Sequence, residues 1–532
     1  MFIVKRCRSS FFCTIFLTVI SIELLILFIY LPNLTKLKQS PSESGSFSEE
    51  KQRFEQCRRQ AGGFFHLLTK WNDKYEISKW HRDFKKQPLR IGGSDQVQST
   101  LLKDCPVPCW HYPPEYLLRD NETNIYFDAS FVEFSTAVLP KKDREFLGFT
   151  VLRTMESSVY IPMTALEKAK EIFDIVMTPR LDSDVPVPYF SWELYDFMKP
   201  IKTPVEKRSK TFLSSIFLSN CDGQSMRNKV IEIMKESALN YSSKQFVQMF
   251  GLCSDEQRRY DGDKLLQIGK FKFHLAFENS IDIDYVTEKF FQPLVEGSIP
   301  VVIGAPNIAD FSPAPDSMLV IKDVADVGNI LKQMKEIDRD DEQFNRMVQW
   351  KTTGVSNHFL ALVDLANVHS SCRLCINVAD RIRAQERKRL PKLSCFCSES
   401  GNSGIYRYFV RERGHFEYIE AYLISNQLTL AQLGNSIITA FQNSHLAMHG
   451  SYWPIWTKFR DRVGRREVVT NETQIPELRL YRIYKSFTTN QKIALLNDGD
   501  NVGQISNDVQ VADLFEKSAI EDTCLELEVI FI

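Results

Sequence analysis

The 532-residue chain lacks the features that define several large enzyme classes. Its formal net charge of −1 gives no bulk attraction to nucleic acid or to an anionic membrane surface. It contains no G-x-S-x-G elbow, no G-x-x-x-x-G-K-[ST] loop and no G-x-G-x-x-G fingerprint. His445 and His449 stand four apart, but Leu446 occupies the position where a zinc protease needs Glu. The hydrolase, P-loop, dinucleotide-binding and zinc-protease classes therefore find no support.

A long hydrophobic run near the N-terminus predicts a membrane anchor. Residues 11–31 contain Glu23 as their only charged residue, and three basic residues precede them, namely Lys5, Arg6 and Arg8. We therefore expect a single-pass type II protein of the Golgi membrane whose main part is lumenal. A cleaved signal peptide is the alternative, although no small-x-small cleavage site follows the run.

Cysteine usage agrees with a lumenal address. Ten of the twelve Cys follow the predicted anchor, several in close pairs, which indicates disulfides in an oxidising compartment. A zinc site is the alternative for one set of four, Cys372, Cys375, Cys395 and Cys397, although the C-x-C spacing weakens it. Glycosylation sequons begin at Asn33, Asn121, Asn240 and Asn471.

The most informative segment lies in the middle of the chain. Phe273–Phe277 and Ile299–Ile303 are short apolar runs typical of buried parallel strands, and a polar turn and a helix are predicted between them. Asp284 is a plausible N-cap, which predicts that this helix opens at Tyr285. A helix N-terminus after a parallel strand favours anions. We therefore expect a phosphate-binding site at this edge of an α/β sheet.

Ionisable and amide side chains gather around that predicted site. Tyr285, Glu288 and Lys289 share one face of the predicted helix, because they lie at positions i, i+3 and i+4. Lys289 can add a positive charge, and Glu288 can accept hydrogen bonds from sugar hydroxyls. Glu278 and Asn279 close the first strand. An ordinary amphipathic crossover helix is the alternative for this pattern taken alone.

Two further residues stand earlier in the chain. An apolar strand is predicted within residues 211–220, and Arg227 opens the helix that follows it. A guanidinium at that place can bind two phosphate oxygens at once. Glu156, in Met155-Glu-Ser-Ser158, has no special status from composition alone, and a solvated carboxylate is the usual outcome.

The string from Phe273 to Lys289, with Gly297–Pro306 after it, resembles the donor-binding motif of the glycosyltransferase family 10 α1,3-fucosyltransferases. The resemblance implies a GT-B-like α/β fold of two facing Rossmann-like domains and inverting transfer of L-fucose from GDP-fucose. It places a general base on Glu156, which the attacking hydroxyl requires. It assigns donor binding to Arg227, Glu278, Asn279, Tyr285, Glu288 and Lys289.

The resemblance and the composition together predict the organisation of the chain. The predicted parts are a cytoplasmic tail (1–10), a transmembrane signal anchor (11–31), a stem (32–60), an acceptor-side Rossmann-like domain (61–204), a GDP-fucose-binding Rossmann-like domain (205–368) and a Cys-containing C-terminal extension (369–532). The extension is similar to that of plant-type core α1,3-fucosyltransferases. The implied acceptor is O3 of the Asn-linked GlcNAc of N-glycans on glycoproteins. Lewis-type transfer to antennary GlcNAc and a non-catalytic Golgi sugar-binding protein are the alternatives.

A metal site is not expected. Asp182-Ser-Asp184 spells the D-x-D triplet of a different glycosyltransferase fold, but the triplet recurs elsewhere in the chain and is a weak signal. The resemblance implies that Arg, Lys and a helix N-terminus neutralise the leaving group, so GDP-fucose is a co-substrate, no cofactor is obligatory and Mn²⁺ is at most a stimulant. His274, within a predicted strand, is expected to be a satisfied core or donor-pocket residue.

Overall fold

A computed structural model describes residues 49–57 and 81–531 of the chain, with gaps. The gaps are 104, 118–124, 134–146, 191–194, 239–244, 255–261, 357–358, 360–361, 364–365, 367–368, 388–394, 399–402, 413, 445–477, 483–503, 506 and 522–523. The described chain forms three β-sheets with separate hydrophobic cores. No helix within these ranges has the length and apolar character needed to cross a bilayer. The predicted anchor, residues 11–31, lies outside the described residues.

The first sheet has six short strands in the order β2-β3-β1-β4-β5-β6. The strands are β1 (Leu89–Gly92), β2 (Thr100–Leu102), β3 (Cys109–His111), β4 (Ala129–Phe131), β5 (Phe149–Arg153) and β6 (Ile175–Met177). Neighbouring strands are parallel except β2 and β3. Helix α1 (residues 49–57) precedes this sheet in the chain, and helix α2 (Leu166–Ile172) connects β5 to β6.

The second sheet is parallel throughout, in the order β11-β10-β9-β7-β8. Its strands are β7 (Phe212–Phe217), β8 (Gln245–Phe250), β9 (Phe273–Phe277), β10 (Ile299–Ile303) and β11 (Leu319–Val320). Its helices are α3 (Arg227–Ala238), α4 (Lys264–Ile268), α5 (Glu288–Glu296), α6 (Val327–Arg339), α7 (Asp341–Met347) and α8 (Trp350–Thr353). Strands β9 and β10 are buried at every position, as their apolar runs predict. The predicted α/β class with parallel sheets is confirmed.

Beyond the second sheet, helix α9 (Ser370–Arg387) leads to a mixed third sheet. The strands are β12 (Phe396–Cys397), β13 (Ile405–Glu412), β14 (Ile419–Ile424), β15 (Leu478–Arg482), β16 (Gln504–Ile505) and β17 (Glu526–Phe531). Helices α10 (Leu430–Gln442) and α11 (Asp508–Ile520) contribute Leu433, Ile437 and Phe515 to its core. This sheet is a separate packing unit of the C-terminal extension.

Helix α9 joins the first sheet to the third. Leu374 and Val378 are fully buried in the core of the first sheet, and Asp380 forms a 3.1 Å ion pair with Arg411 on β13. Helix α1 belongs to the third sheet, because Phe54 packs on Tyr422 with ring centroids 5.4 Å apart. The extension therefore contacts the first sheet through α9, and residues 49–57, the end of the predicted stem, are folded against the extension.

The start of helix α5 differs from the sequence-based prediction. The helix begins at Glu288, with Thr287 as the N-cap whose side chain accepts from Lys289 N. Asp284 has φ 60°, in the left-handed region, and therefore does not cap the helix. The prediction of a helix from Tyr285 was wrong, so Tyr285 does not share a helix face with Glu288.

Five disulfides confirm the oxidised cysteines that the sequence predicts. They are Cys57–Cys397, Cys105–Cys372, Cys109–Cys375, Cys221–Cys253 and Cys395–Cys524. The four cysteines weighed as zinc ligands thus have separate disulfide partners. Two of these bridges, Cys105–Cys372 and Cys109–Cys375, join α9 to the start of β3 and the segment before it. Their sequence separations are 267 and 266 residues.

These two bridges close nearly the same loop, which predicts a non-additive effect on stability. Removing one by Cys→Ala at both ends leaves the long loop closed and should cost about 2 kcal/mol. Removing both frees the whole loop in the unfolded chain, so the loss should exceed the sum of the two single losses. Thermal unfolding of the three variants measures this. Additive losses would show that the bridges do not constrain the same loop.

Candidate active site

The carboxyl ends of the two parallel sheets meet at the candidate site. Glu156 follows β5 in the first sheet, and Glu278 and Asn279 follow β9 in the second. The Tyr160 hydroxyl donates to the Asn279 carbonyl oxygen over 3.2 Å, so the two edges are in direct contact. The predicted catalytic and donor-binding residues therefore come from both sides of one junction.

Glu278 is the buried centre of the second side. Its carboxylate accepts from Thr287 N and from Thr287 Oγ1, each at 2.8 Å, and lies 3.2 Å from Lys289 Nζ. Burial raises the pKa of Glu278, whereas Lys289 and Thr287 oppose that shift. Burial lowers the pKa of Lys289, but Glu278 and Glu288 outweigh it and the net pKa is raised. Lys289 is therefore a firmly charged cation.

Arg227 opens helix α3, as predicted, and is buried. Its Nη2 donates to the carbonyl oxygen of Asn220, whereas Nε is buried without a partner in the described part of the chain. Gly223 makes room for the guanidinium, because a Cβ there would lie 2.6 Å from Nε. Burial lowers the pKa of Arg227, against the opposing influence of Tyr160 and Glu278. A cation held this way is suited to bind a phosphate.

The backbone around Asn279 connects Arg227 to the second sheet. Ser225, two residues before Arg227, donates its hydroxyl to the Glu278 carbonyl oxygen at 2.6 Å and its N–H to that of Asn279 at 3.0 Å. The loop before α3 and the end of β9 are thus joined by hydrogen bonds. Asn279 Oδ1, buried beside them, is an acceptor to which no described residue donates.

Glu156 is exposed and points a carboxylate oxygen at a tyrosine. Its Oε2 accepts from the Tyr285 hydroxyl at 3.3 Å. Tyr189 donates to the Met155 carbonyl oxygen at 2.5 Å, and its ring stands perpendicular to that of Tyr285. Burial raises the pKa of both tyrosines, and the Glu156 charge adds to this, so both hydroxyls remain donors. An accessible carboxylate is therefore oriented by groups of both sheets.

Asp282 holds the loop that carries Glu156. Its Oδ2 accepts from Ser157 Oγ at 3.1 Å, from Ser158 N at 2.8 Å and from Ser158 Oγ at 2.6 Å. Asp284 makes a parallel contact, because its Oδ2 accepts from Leu181 N at 3.0 Å. Asp282 and Asp284, which form another D-x-D triplet, therefore both accept hydrogen bonds from the first side.

Both carboxylates of the triplet Asp182-Ser-Asp184 also accept hydrogen bonds. Arg180 holds Asp182 through two hydrogen bonds of 3.0 and 2.9 Å, and Asp184 accepts from Val176 N and from Arg381 at 2.9 and 2.8 Å. In the described residues, the one His/Cys/Asp/Glu group with metal-like spacing is Cys109, His111 and Cys375, whose two cysteines are joined as a disulfide.

His274 and Lys264 complete the surroundings of Lys289. His274 is buried, and its Nδ1 lies 2.9 Å from Ser215 Oγ, as expected of a satisfied core histidine. Burial lowers the pKa of Lys264, against the Glu288 charge and together with the Lys289 charge. Sequence reasoning assigned no role to Lys264, Tyr189 or Asp282, because the contacts that bring them to the site join segments that are distant in the chain.

Comparisons with known proteins show which family the chain resembles. The family model described as "Glycosyltransferase family 10 (fucosyltransferase) C-term" matches residues 206–394. A "Putative fucosyltransferase-like protein" of Arabidopsis thaliana is 37% identical over 470 residues, which are 87% of this chain and 80% of that protein. The human "GDP-fucose protein O-fucosyltransferase 3" is 24% identical over 391 residues, 67% of this chain and 75% of that protein.

Two further similarities are more limited. The Drosophila melanogaster "Glycoprotein 3-alpha-L-fucosyltransferase A" is 28% identical over 235 residues, 42% of each chain. A crystal structure of an α1,3-fucosyltransferase with GDP-fucose covers 56% of this chain and 90% of its own, at 14% identity and a TM-score of 0.37.

Buried His274 predicts a loss of stability in acid. Its folded-state pKa is lowered to about 3 by burial and by Lys264 and Lys289, from an ordinary value of 6.5. The stability linked to its neutral form is therefore complete above pH 6.5 and is lost as the pH falls towards 3. We expect the fall of Tm between pH 6.5 and 4 to be shallower in His274→Gln.

The exposed Val97 offers a control without a titratable side chain. Val97→Gln should leave the pH dependence of Tm unchanged. Equal slopes for the wild type and His274→Gln would contradict a role for His274 in acid sensitivity.

Proposed function

Because the chain belongs to glycosyltransferase family 10, the fucosyltransferases, we propose that it moves L-fucose from GDP-fucose to O3 of the Asn-linked GlcNAc of N-glycans. The observation that carries the proposal is the junction where exposed Glu156 meets the Tyr285 hydroxyl across the two sheets. We further propose that the protein works in the Golgi lumen, held by the N-terminal hydrophobic run.

Arg227 and Lys289 are the proposed ligands of the GDP diphosphate. Arg227 retains a donor without a partner in the described residues, and Lys289 stands at the N-terminus of α5, where the helix dipole favours an anion. Glu288, with its side chain 34% exposed, is positioned to accept from fucose hydroxyls. Asn279 offers its unused oxygen to the donor. These residues therefore have the charges and hydrogen-bonding groups needed to bind a nucleoside diphosphate sugar.

Glu156 is the proposed general base. The acceptor O3 attacks the anomeric carbon of fucose as the bond from that carbon to the GDP oxygen breaks, and the hydroxyl proton passes to the Glu156 carboxylate. Attack opposite the departing GDP inverts the configuration. The Tyr285 hydroxyl orients the base, and Arg227 and Lys289 stabilise the charge that develops on GDP. Asp282 acts through Ser157 and Ser158 and is a positioning residue.

A protein hydroxyl is the second candidate acceptor. The human protein O-fucosyltransferase 3 aligns with 67% of this chain, whereas the Drosophila glycoprotein 3-α-L-fucosyltransferase aligns with 42%. Donor binding and the base would be the same, because both reactions deprotonate a hydroxyl. The two candidate reactions differ in the acceptor, a glycan or a protein, that would bind against the first sheet.

Transfer to a defined acceptor tests the function. We expect the full chain, with GDP-fucose and an N-glycopeptide, to place fucose on O3 of the innermost GlcNAc, as read by mass spectrometry with linkage analysis. Glu156→Gln should lower kcat by at least about a hundredfold, with GDP-fucose affinity near normal. Fucose on a peptide Ser or Thr would favour the second candidate, and fucose on an antenna would favour a Lewis-type enzyme. Wild-type turnover in Glu156→Gln would refute the base assignment.

Donor binding isolates the role of Arg227. Its substitution by Ala removes charge-assisted hydrogen bonds to the diphosphate, so the Kd for GDP should rise about 10- to 100-fold by isothermal titration calorimetry. Arg346→Ala is the matched control, because Arg346 on α7 has an exposed side chain. An unchanged Kd for GDP in Arg227→Ala would mean that the diphosphate binds elsewhere.

A further inference from the structure

The carboxyl edge of the first sheet continues past Glu156 towards β1 and β3. Arg153, at the end of β5, forms a 2.9 Å ion pair with Asp95, which follows β1. Ser94 N donates to the Tyr112 carbonyl oxygen at 2.8 Å and thereby joins the β1 loop to the end of β3. This edge is continuous with the proposed reaction centre.

Three aromatic residues line the far part of that edge, and we call Trp110, Tyr112 and Tyr116 the aromatic shelf. The Tyr112 ring centroid lies 6.3 Å from that of Trp110 and 5.4 Å from that of Tyr116. Phe127, which is buried, supports Tyr112 from below at 5.6 Å. Tyr116 is 36% exposed, and the other two rings are half-buried. The shelf is therefore a supported but accessible surface.

Two glycines place the shelf where it is. Gly93 has φ 71°, and a Cβ there would lie 2.4 Å from the Phe131 carbonyl oxygen. A Cβ on Gly92 would lie 2.6 Å from the Leu117 side chain. The turn Pro114–Leu117 can therefore pack directly on the end of β1, and this turn presents Tyr116 to solvent.

We propose that the aromatic shelf, with Asp95 and Arg153 beside it, binds a sugar of the acceptor glycan that lies further along the glycan than the sugar that receives fucose, because β3 is three strands away from β5 in the sheet. This inference rests on the proposed function. A pyranose ring has an apolar C–H face and a rim of hydroxyls. Tyr and Trp offer rigid apolar faces with polar tips, and the Asp95 and Arg153 side chains, 82% and 32% exposed, can bond hydroxyls at the rim.

The position of the shelf favours an oligosaccharide over a peptide. The shelf lies on the same sheet edge as the proposed base, so a glycan held there extends from the reacting sugar along the edge. The groups beside the shelf are one acid and one base, which attract no peptide of a particular charge. The aromatic faces and the paired charges match the two kinds of surface that one sugar ring has.

Binding of glycans without turnover tests the proposal. We would titrate the full chain, with GDP present, with a trimannosyl-chitobiose Asn-glycan and with a single GlcNAc linked to Asn, and measure Kd by NMR. Tyr116→Ala should raise the Kd of the longer glycan about tenfold and leave that of the single sugar and of GDP unchanged. Tyr116→Phe, which keeps the ring, should resemble the wild type.

Controls separate this inference from the proposed function. Leu252→Ala changes an exposed apolar residue outside the first sheet and should leave glycan binding unchanged, and Tm verifies the folding of each variant. Equal Kd values for both glycans in the wild type, or an unchanged Kd in Tyr116→Ala, would overturn the shelf assignment. This experiment measures glycan binding and not fucose transfer. Its result can therefore be interpreted even if the fucosyl-transfer assay fails.

Discussion

The rest of the site depends on the interactions of the buried Glu278 carboxylate with Thr287 and Lys289. This carboxylate accepts hydrogen bonds from Thr287 N and Oγ1 and lies beside Lys289, so it fixes both the N-cap of α5 and the cation in the first turn of that helix. Removing one partner of such a buried pair typically costs about 3–5 kcal/mol, because the other charge remains uncompensated. The Glu278 carbonyl oxygen also holds Ser225, and through it the start of α3 with Arg227. One residue thus sets the positions of both proposed diphosphate ligands.

The contact between the two sheets has a different physical basis. Asp282, Asp284 and the Asn279 carbonyl oxygen accept hydrogen bonds from the loops after β5 and β6. Hydrogen bonds to charged carboxylates are stronger than those between neutral groups but need close geometry. The second side therefore positions the loop of Glu156 through oxygen acceptors on its own polar turn. That turn tolerates the left-handed Asp284 because Asn307 donates to its other carboxylate oxygen at 2.8 Å.

The sequence predicted what depends on local pattern. Apolar runs located β9 and β10, and spacing from a strand located Arg227 at the start of α3. The predicted start of α5 was wrong because Asp is a common N-cap residue, whereas the Asp284 carboxylate accepts hydrogen bonds from residues that are distant in the chain. The pairing of Cys105 with Cys372 could not be predicted either, since close spacing in sequence says nothing about which cysteines meet in space.

Helix α9 is packed on the first sheet although it follows the second sheet in the chain. Cys109, at the start of β3, is bonded to Cys375 of α9, and the next residue, Trp110, belongs to the aromatic shelf. Helix α9 is tied in turn to the third sheet through Asp380 and Arg411. The strand that carries part of the aromatic shelf is therefore fastened to a helix that follows the second sheet in the chain. The proposed acceptor surface thus depends on a contact between residues that are 266 positions apart in the chain.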